Sequence, residues 1–217
     1  LPLVRQVCAA HAEGRVAPLE GTGDLRVDGV RLGFDDARRR PARSHPERLR
    51  AFAAADGALD IVGESRRATD VAAGGSRRTN LLIGRPGEPV ERPVYLPGFA
   101  SWEHAIGHHA PLPAIFSLGL VLASLSCGLD FSDPDDLEAF VENRGNLFDL
   151  ARGLNPVVGQ CVVRMTELDR RRRAQDLPGL LRRLETYREQ DVDLATDLAR
   201  TPGFRDQAPK DKRAAIL

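Results

Sequence analysis

Apolar residues recur at helical spacing near the start of the chain. Leu3, Val4, Val7 and Cys8 fall on one face, and Gly14 follows them. Apolar residues separated by three or four positions indicate an amphipathic helix, and glycine commonly ends one. The pattern predicts a helix over residues 1–12.

The second half of the chain carries stronger helical patterns. Residues 113–127 are apolar on nearly every face, which predicts a helix buried all round at the centre of a domain. Asp133 followed by Pro134 has the character of a helix N-terminus. Two more amphipathic helices are predicted over residues 156–168 and 175–187.

Between these helical regions the pattern changes twice. Leu25–Val27 and Val30–Leu32 are short strand candidates joined by Asp-Gly, a strong hairpin signal. Residues 35–93 then lose periodicity and contain several prolines and an arginine run. We expect a long, mobile loop there, with one helix near residues 47–55. Loops of that length in compact domains are usually functional or insertions.

Composition narrows the class of protein. The chain of 217 residues has 42% apolar and 29% charged residues, typical of one globular domain. The chain has 31 basic residues (lysine and arginine) and 31 acidic residues (aspartate and glutamate). It therefore lacks the excess of positive charge that would indicate nucleic-acid binding. Three scattered cysteines fit a reducing cytoplasm. The longest apolar run, Ile115–Leu125, is too short to span a bilayer, so we expect no membrane association.

Three segments, in order, resemble motifs of the protein kinase-like superfamily. Gly98–His104 (G-F-A-S-W-E-H) is similar to G-Y-M-A-P-E-Q, and Ala114–Gly119 (A-I-F-S-L-G) is similar to D-V-W-S-L-G. Asp169–Ala174 (D-R-R-R-R-A) resembles D-P-x-x-R-P. The resemblance implies a mainly α fold over residues 1–190: a degenerate kinase-like C-terminal lobe with a small β-hairpin and a long activation-segment-like loop.

The resemblance also implies a buried ion pair. In kinases the glutamate of the A-P-E segment pairs with the arginine before the last helix, and these positions are Glu103 and Arg173 here. Removing one partner of a buried pair is costly, so the two residues are predicted to hold the domain together. The alternative is that Arg173 is one of four solvated surface arginines.

The phosphotransfer residues of the family are missing. Kinase chemistry needs the aspartate of H-R-D, an asparagine five residues later and the aspartate of D-F-G. Leu19 falls on the first position, Asp24 on the second and Gly33 on the third, with Asp35 two residues beyond. No catalytic residue is predicted. Asp24 and Asp35 remain the only candidates for cofactor binding, and we expect no cofactor.

Two further clusters have residue types that suggest ligand binding. His104, His108 and His109 suggest zinc, but Gly107 interrupts any helix that would align them and no other cysteine or histidine lies nearby in the sequence. We therefore predict no metal site. The arginines near residues 38–50 lack the interleaved aromatic residues that stack on bases, so nucleic-acid binding is not expected of this segment.

These observations favour a catalytically inactive, pseudokinase-type regulatory module of a larger bacterial cytoplasmic protein. It would bind another domain of the same chain or a protein partner, and residues 191–217 would be a linker or the start of a following domain. One alternative is a divergent serine/threonine kinase whose ATP is bound by an upstream lobe. Another is an accessory module of a helicase-type, nucleic-acid-processing protein.

Overall fold

The structure is a computed structural model that describes residues 1–29, 31–55 and 82–186. Within these residues the chain is about half helical and has two small antiparallel sheets. The expected linker over residues 191–217 and the middle of the expected mobile loop, residues 56–81, lie outside the described residues. The helices are α1 (Pro2–Ala12), α2 (Pro46–Ala55), α3 (Trp102–Ala105), α4 (Pro111–Cys127), α5 (Pro134–Asn143), α6 (Pro156–Met165) and α7 (Leu177–Glu185).

The predicted hairpin is present, with shifted bounds. Strand β2 (Leu25–Asp28) pairs antiparallel with β3 (Arg31–Phe34), so that Leu25 lies opposite Phe34. Gly29 lies in the turn at φ +58°, a conformation that side chains other than glycine rarely adopt. α1 packs against β3, which places the hairpin beside the first helix.

A second sheet was not predicted. Strand β1 (Arg15–Val16) pairs antiparallel with β4 (Arg40–Pro41). β4 is two residues long and exposed, so it shows no alternation of apolar and polar positions. β4 lies near the start of the segment that was expected to be irregular, and it is paired with β1. This pairing encloses residues 17–39, which include the hairpin, at the edge of the helical body.

The core is built around the first part of α4; the sequence predicts burial on every side, but Leu125 near the end of the helix is 65% exposed. Its residues from Pro113 to Val121, together with Ala123, are buried. Phe116 stacks on Tyr95 with 5.7 Å between ring centroids, and Tyr95 meets Phe140 of α5 edge-on at 5.9 Å. The Tyr95 hydroxyl donates to the Thr166 carbonyl oxygen at 2.8 Å, which satisfies its polar end in the core.

Helices α5 and α6 have the N-terminal caps that their sequences favour. The Asp133 carboxylate accepts from the Asp135 N–H at 2.9 Å at the start of α5, as predicted. Asn155 does the same for α6, accepting from Val157 at 2.8 Å. In the parts of the chain that the structure describes, every helix is too short or too polar to cross a lipid bilayer.

Candidate functional site

The carboxylate of Glu103 and the guanidinium of Arg173 form an ion pair inside the helical body. Arg173 Nη1 lies 2.6 Å from Glu103 Oε1, and both side chains are fully inaccessible to solvent. Glu103 belongs to α3, and Arg173 lies in the turn before α7. The pair expected from the sequence is therefore present, and the alternative of a solvated Arg173 is wrong.

Each of the three guanidinium nitrogens of Arg173 has a hydrogen-bond partner. Its Nε donates to the Glu167 carbonyl oxygen at 2.8 Å, and Nη2 donates to the Leu168 carbonyl oxygen at 3.3 Å. Its guanidinium carbon also lies 4.8 Å from the centroid of the Phe116 ring of α4. A buried cation is tolerated when its donors are satisfied in this way. Arg173 thus joins α3, α4 and the turn before α7.

Glu103 has a second cationic neighbour that the sequence analysis did not identify. Arg170 Nη1 lies 3.1 Å from the same oxygen, Oε1, and its side chain is 28% exposed. Burial alone would raise the pKa of Glu103, but Arg173 and then Arg170 outweigh it and hold that pKa below its usual value. The carboxylate is therefore ionised at neutral pH.

The loop after β1 carries a hydrocarbon side chain at Leu19, the residue that the resemblance aligns with the kinase proton acceptor. Leu19 is 1% exposed and belongs to the hydrophobic core. Ala114 of α4, which the resemblance aligns with a kinase aspartate, is also 1% exposed. An isolated carboxylate at either buried position would be costly without partners, so the two apolar residues are mutually consistent.

Asp24 serves the local backbone. Its Oδ2 accepts from the N–H groups of Glu20 and Gly21 at 2.9 and 3.0 Å. Its Oδ1 lies 2.6 Å from Arg38 Nη2. Both oxygens are thus engaged in shaping the turn over Thr22–Asp24 and joining it to the segment before β4.

Asp35 is also engaged by the protein itself. Its Oδ2 lies 2.8 Å from Arg26 Nη2 of β2, and its Oδ1 accepts from the Ala37 N–H at 3.1 Å. The structure does not join Asp24 and Asp35 into one site. Neither belongs to a group of three candidate metal ligands within residues 1–55 and 82–186.

Gly33, which the resemblance aligns with the D-F-G aspartate, lies against a side chain of α1. A Cβ atom built on Gly33 would come within 2.7 Å of Gln6 Oε1. That oxygen accepts from the Phe34 N–H at 3.0 Å, and Gln6 Nε2 donates to the Phe34 carbonyl oxygen at 3.0 Å. Gln6 therefore occupies the space that an aspartate side chain at position 33 would need.

His104 and His109 lie beside the loop after β1, where they meet Glu20. His108 is buried, and its Nδ1 accepts from the His45 N–H at 3.1 Å. His104 and His109 stack with 5.0 Å between ring centroids. Glu20 lies with them: its Oε1 is 3.6 Å from His109 Nδ1. Sequence reasoning missed Glu20 here because it lies far upstream of the histidines, on the loop after β1.

Burial is the main influence on the pKa values of His104 and His108. It lowers the pKa of His108 to about 4, and it lowers the pKa of His104 to about 4, with His109 acting in the same direction. Both rings are therefore neutral at pH 7. A neutral imidazole can accept a hydrogen bond or ligate a metal at its unprotonated nitrogen.

No family model matches the chain, and the searches of curated proteins and of solved structures gave no significant match.

Proposed function

We propose that this chain is a catalytically inactive, kinase-like regulatory module that binds another domain of its own protein or a protein partner in the bacterial cytoplasm. The observation that carries the proposal is Leu19. The residue at the position of the proton acceptor is a hydrocarbon side chain in the core, where it can neither accept a proton nor orient a hydroxyl group.

The order of elements supports the kinase-like part of the proposal. Helix α1 is followed by β1, a loop, the β2–β3 hairpin and β4, and the buried helix α4 comes later. The ion pair of Glu103 with Arg173 lies where the resemblance implies it, between the segment before α4 and the turn before α7. Scaffold features are thus retained around a position that has lost its chemistry.

The partners of the two remaining carboxylates, Asp24 and Asp35, support the proposal that the chain is catalytically inactive. Phosphoryl transfer needs carboxylates that hold Mg²⁺ against the phosphates. Asp24 is occupied by two backbone N–H groups and Arg38, and Asp35 by Arg26 and the Ala37 N–H. A metal ion would have to displace these partners, so the divergent-kinase alternative is disfavoured.

The arginine run gives little support to the helicase-type alternative. Arg38 pairs with Asp24, and Arg39 pairs with Glu13 and Asp36. Arg40 lies 3.5 Å from Glu20. Each guanidinium thus faces a carboxylate, whereas nucleic-acid binding needs cationic groups available to neutralise phosphates.

Titration calorimetry of the chain with ATP, with and without Mg²⁺, tests the proposal. We expect no Mg²⁺-dependent binding of ATP, because Asp24 and Asp35 already have protein partners. Asp24→Asn and Asp35→Asn provide the matched comparison. Saturable Mg²⁺-dependent binding that either substitution abolishes would show that these carboxylates still hold a metal–nucleotide complex, and the proposal would then be wrong.

A further inference from the structure

The cluster of Glu20, His104 and His109 joins three separate segments of the chain. One potential ligand atom from each residue lies within 4.8 Å of those from the other two. Glu20 lies on the loop after β1, His104 in α3, and His109 in the loop before α4. Two imidazoles and one carboxylate form a ligand set that zinc uses in catalytic sites, where its fourth position stays open.

Backbone hydrogen bonds hold all three residues, and for His104 the N–H donates to the Ser101 carbonyl oxygen at 3.0 Å. The Glu20 carbonyl oxygen accepts from the Phe99 N–H at 3.2 Å, and the Glu20 N–H donates to Asp24. The His109 N–H donates to the Arg43 carbonyl oxygen at 2.9 Å, in an antiparallel bridge. The ligands therefore come from a backbone that is already positioned, which reduces the ordering needed when an ion binds.

The side chains are only partly shielded from solvent. The exposed fraction is 22% for His109 and 38% for Glu20. His104 Nδ1 accepts from the Ser101 N–H at 3.2 Å, which leaves Nε2 as its nitrogen for an ion. Binding there moves the imidazole proton from Nε2 to Nδ1 and gives up this long hydrogen bond.

One cation already competes for the carboxylate. Arg40 Nη1 lies 3.5 Å from Glu20 Oε1, and the Arg40 side chain is 55% exposed. It can move into solvent when an ion binds, but its positive charge opposes that ion. Removing the charge should therefore strengthen metal binding.

We propose that Glu20, His104 and His109 bind one Zn²⁺-type cation and leave its fourth coordination position open to solvent. The bound ion would link the loop after β1 to α3 and the loop before α4. The ligand types favour zinc or a similar transition metal over Mg²⁺ or Ca²⁺, which prefer sites built from oxygen atoms.

The test is calorimetric titration of Zn²⁺ into the chelator-treated chain, prepared without a histidine tag. We expect a stoichiometry of one and no comparable binding of Mg²⁺. Glu20→Gln and His109→Ala should each weaken zinc binding at least ~10-fold, since even residues that only support metal ligands have effects of that size. Arg40→Ala should tighten it, and exposed His45→Ala should leave it unchanged.

Urea unfolding without metal checks that each variant is folded. If the His109→Ala chain does not fold, Glu20→Gln decides the test, because it keeps the shape of the side chain. Absence of stoichiometric zinc binding would overturn the proposal. So would zinc binding of unchanged affinity in a folded Glu20→Gln chain, because the ion would then be held by other residues.

Discussion

Replacing Arg173 with methionine is expected to lower the free energy of unfolding by about 3–5 kcal/mol. The substitution leaves the fully buried Glu103 carboxylate with only the partly exposed Arg170 as a counter-charge. It also removes the donors to the carbonyl oxygens of Glu167 and Leu168. Urea denaturation followed by circular dichroism measures the change.

Variants of the neighbouring residues separate the buried pair from a general charge effect. The Arg172 side chain is 55% exposed, and its Nε lies 3.7 Å from Asp169 Oδ2. Arg172→Met should therefore change the free energy of unfolding by no more than about 0.5 kcal/mol. The double variant Glu103→Met with Arg173→Met should lose less than the two single variants added together, because it leaves no unpaired buried charge. A cost below about 1 kcal/mol for Arg173→Met would contradict the assigned role.

The ion pair also predicts how stability depends on pH. Because the pKa of Glu103 is lowered on folding, the pair contributes fully above the unfolded pKa of about 4.5, and its contribution falls as pH drops through the folded value. Glu103→Gln should remove this part of the acid sensitivity.

The second large effect is expected at Gly119, where α4 meets α6. A Cβ atom on this residue would lie 2.6 Å from Met165 Cβ and 2.9 Å from Thr166 Cγ2. Alanine favours the helix by about 1 kcal/mol over glycine, but the two helices would have to separate. We expect Gly119→Ala to cost a net amount of about 1–3 kcal/mol, the usual range for overpacking.

Gly145→Ala is the matched control, because a Cβ atom on Gly145 would meet nothing within 4 Å. It should leave the urea midpoint nearly unchanged. If Gly119→Ala were as stable as the original chain, or more stable, the close approach of α4 to α6 would be wrong.

Where the sequence has a strong local pattern, such as a long apolar run or a helix-capping residue, it predicted the structure well. The apolar surface of residues 113–127 predicted helix α4 and its burial as far as Val121, and Asp133 marked the start of α5. The partnership of Glu103 and Arg173 came from the resemblance of their motifs and not from periodicity, because their contact joins distant segments.

The features that were missed depend on tertiary contacts. β4 has two exposed residues and acquires its identity only by pairing with β1. Arg170 is one of four consecutive arginines, and nothing local distinguishes the one that reaches Glu103. Glu20 meets His104 and His109 because the loop after β1 folds against the segment before α4, which no local pattern encodes.

The most direct test of the proposed inactivity is a phosphoryl-transfer assay with labelled ATP, using the purified chain. We predict that any transfer observed is unaffected by Asp24→Asn and Asp35→Asn, because neither carboxylate takes part in it. ATP-dependent transfer that either substitution abolishes, in a variant that folds normally, would contradict the inactive assignment.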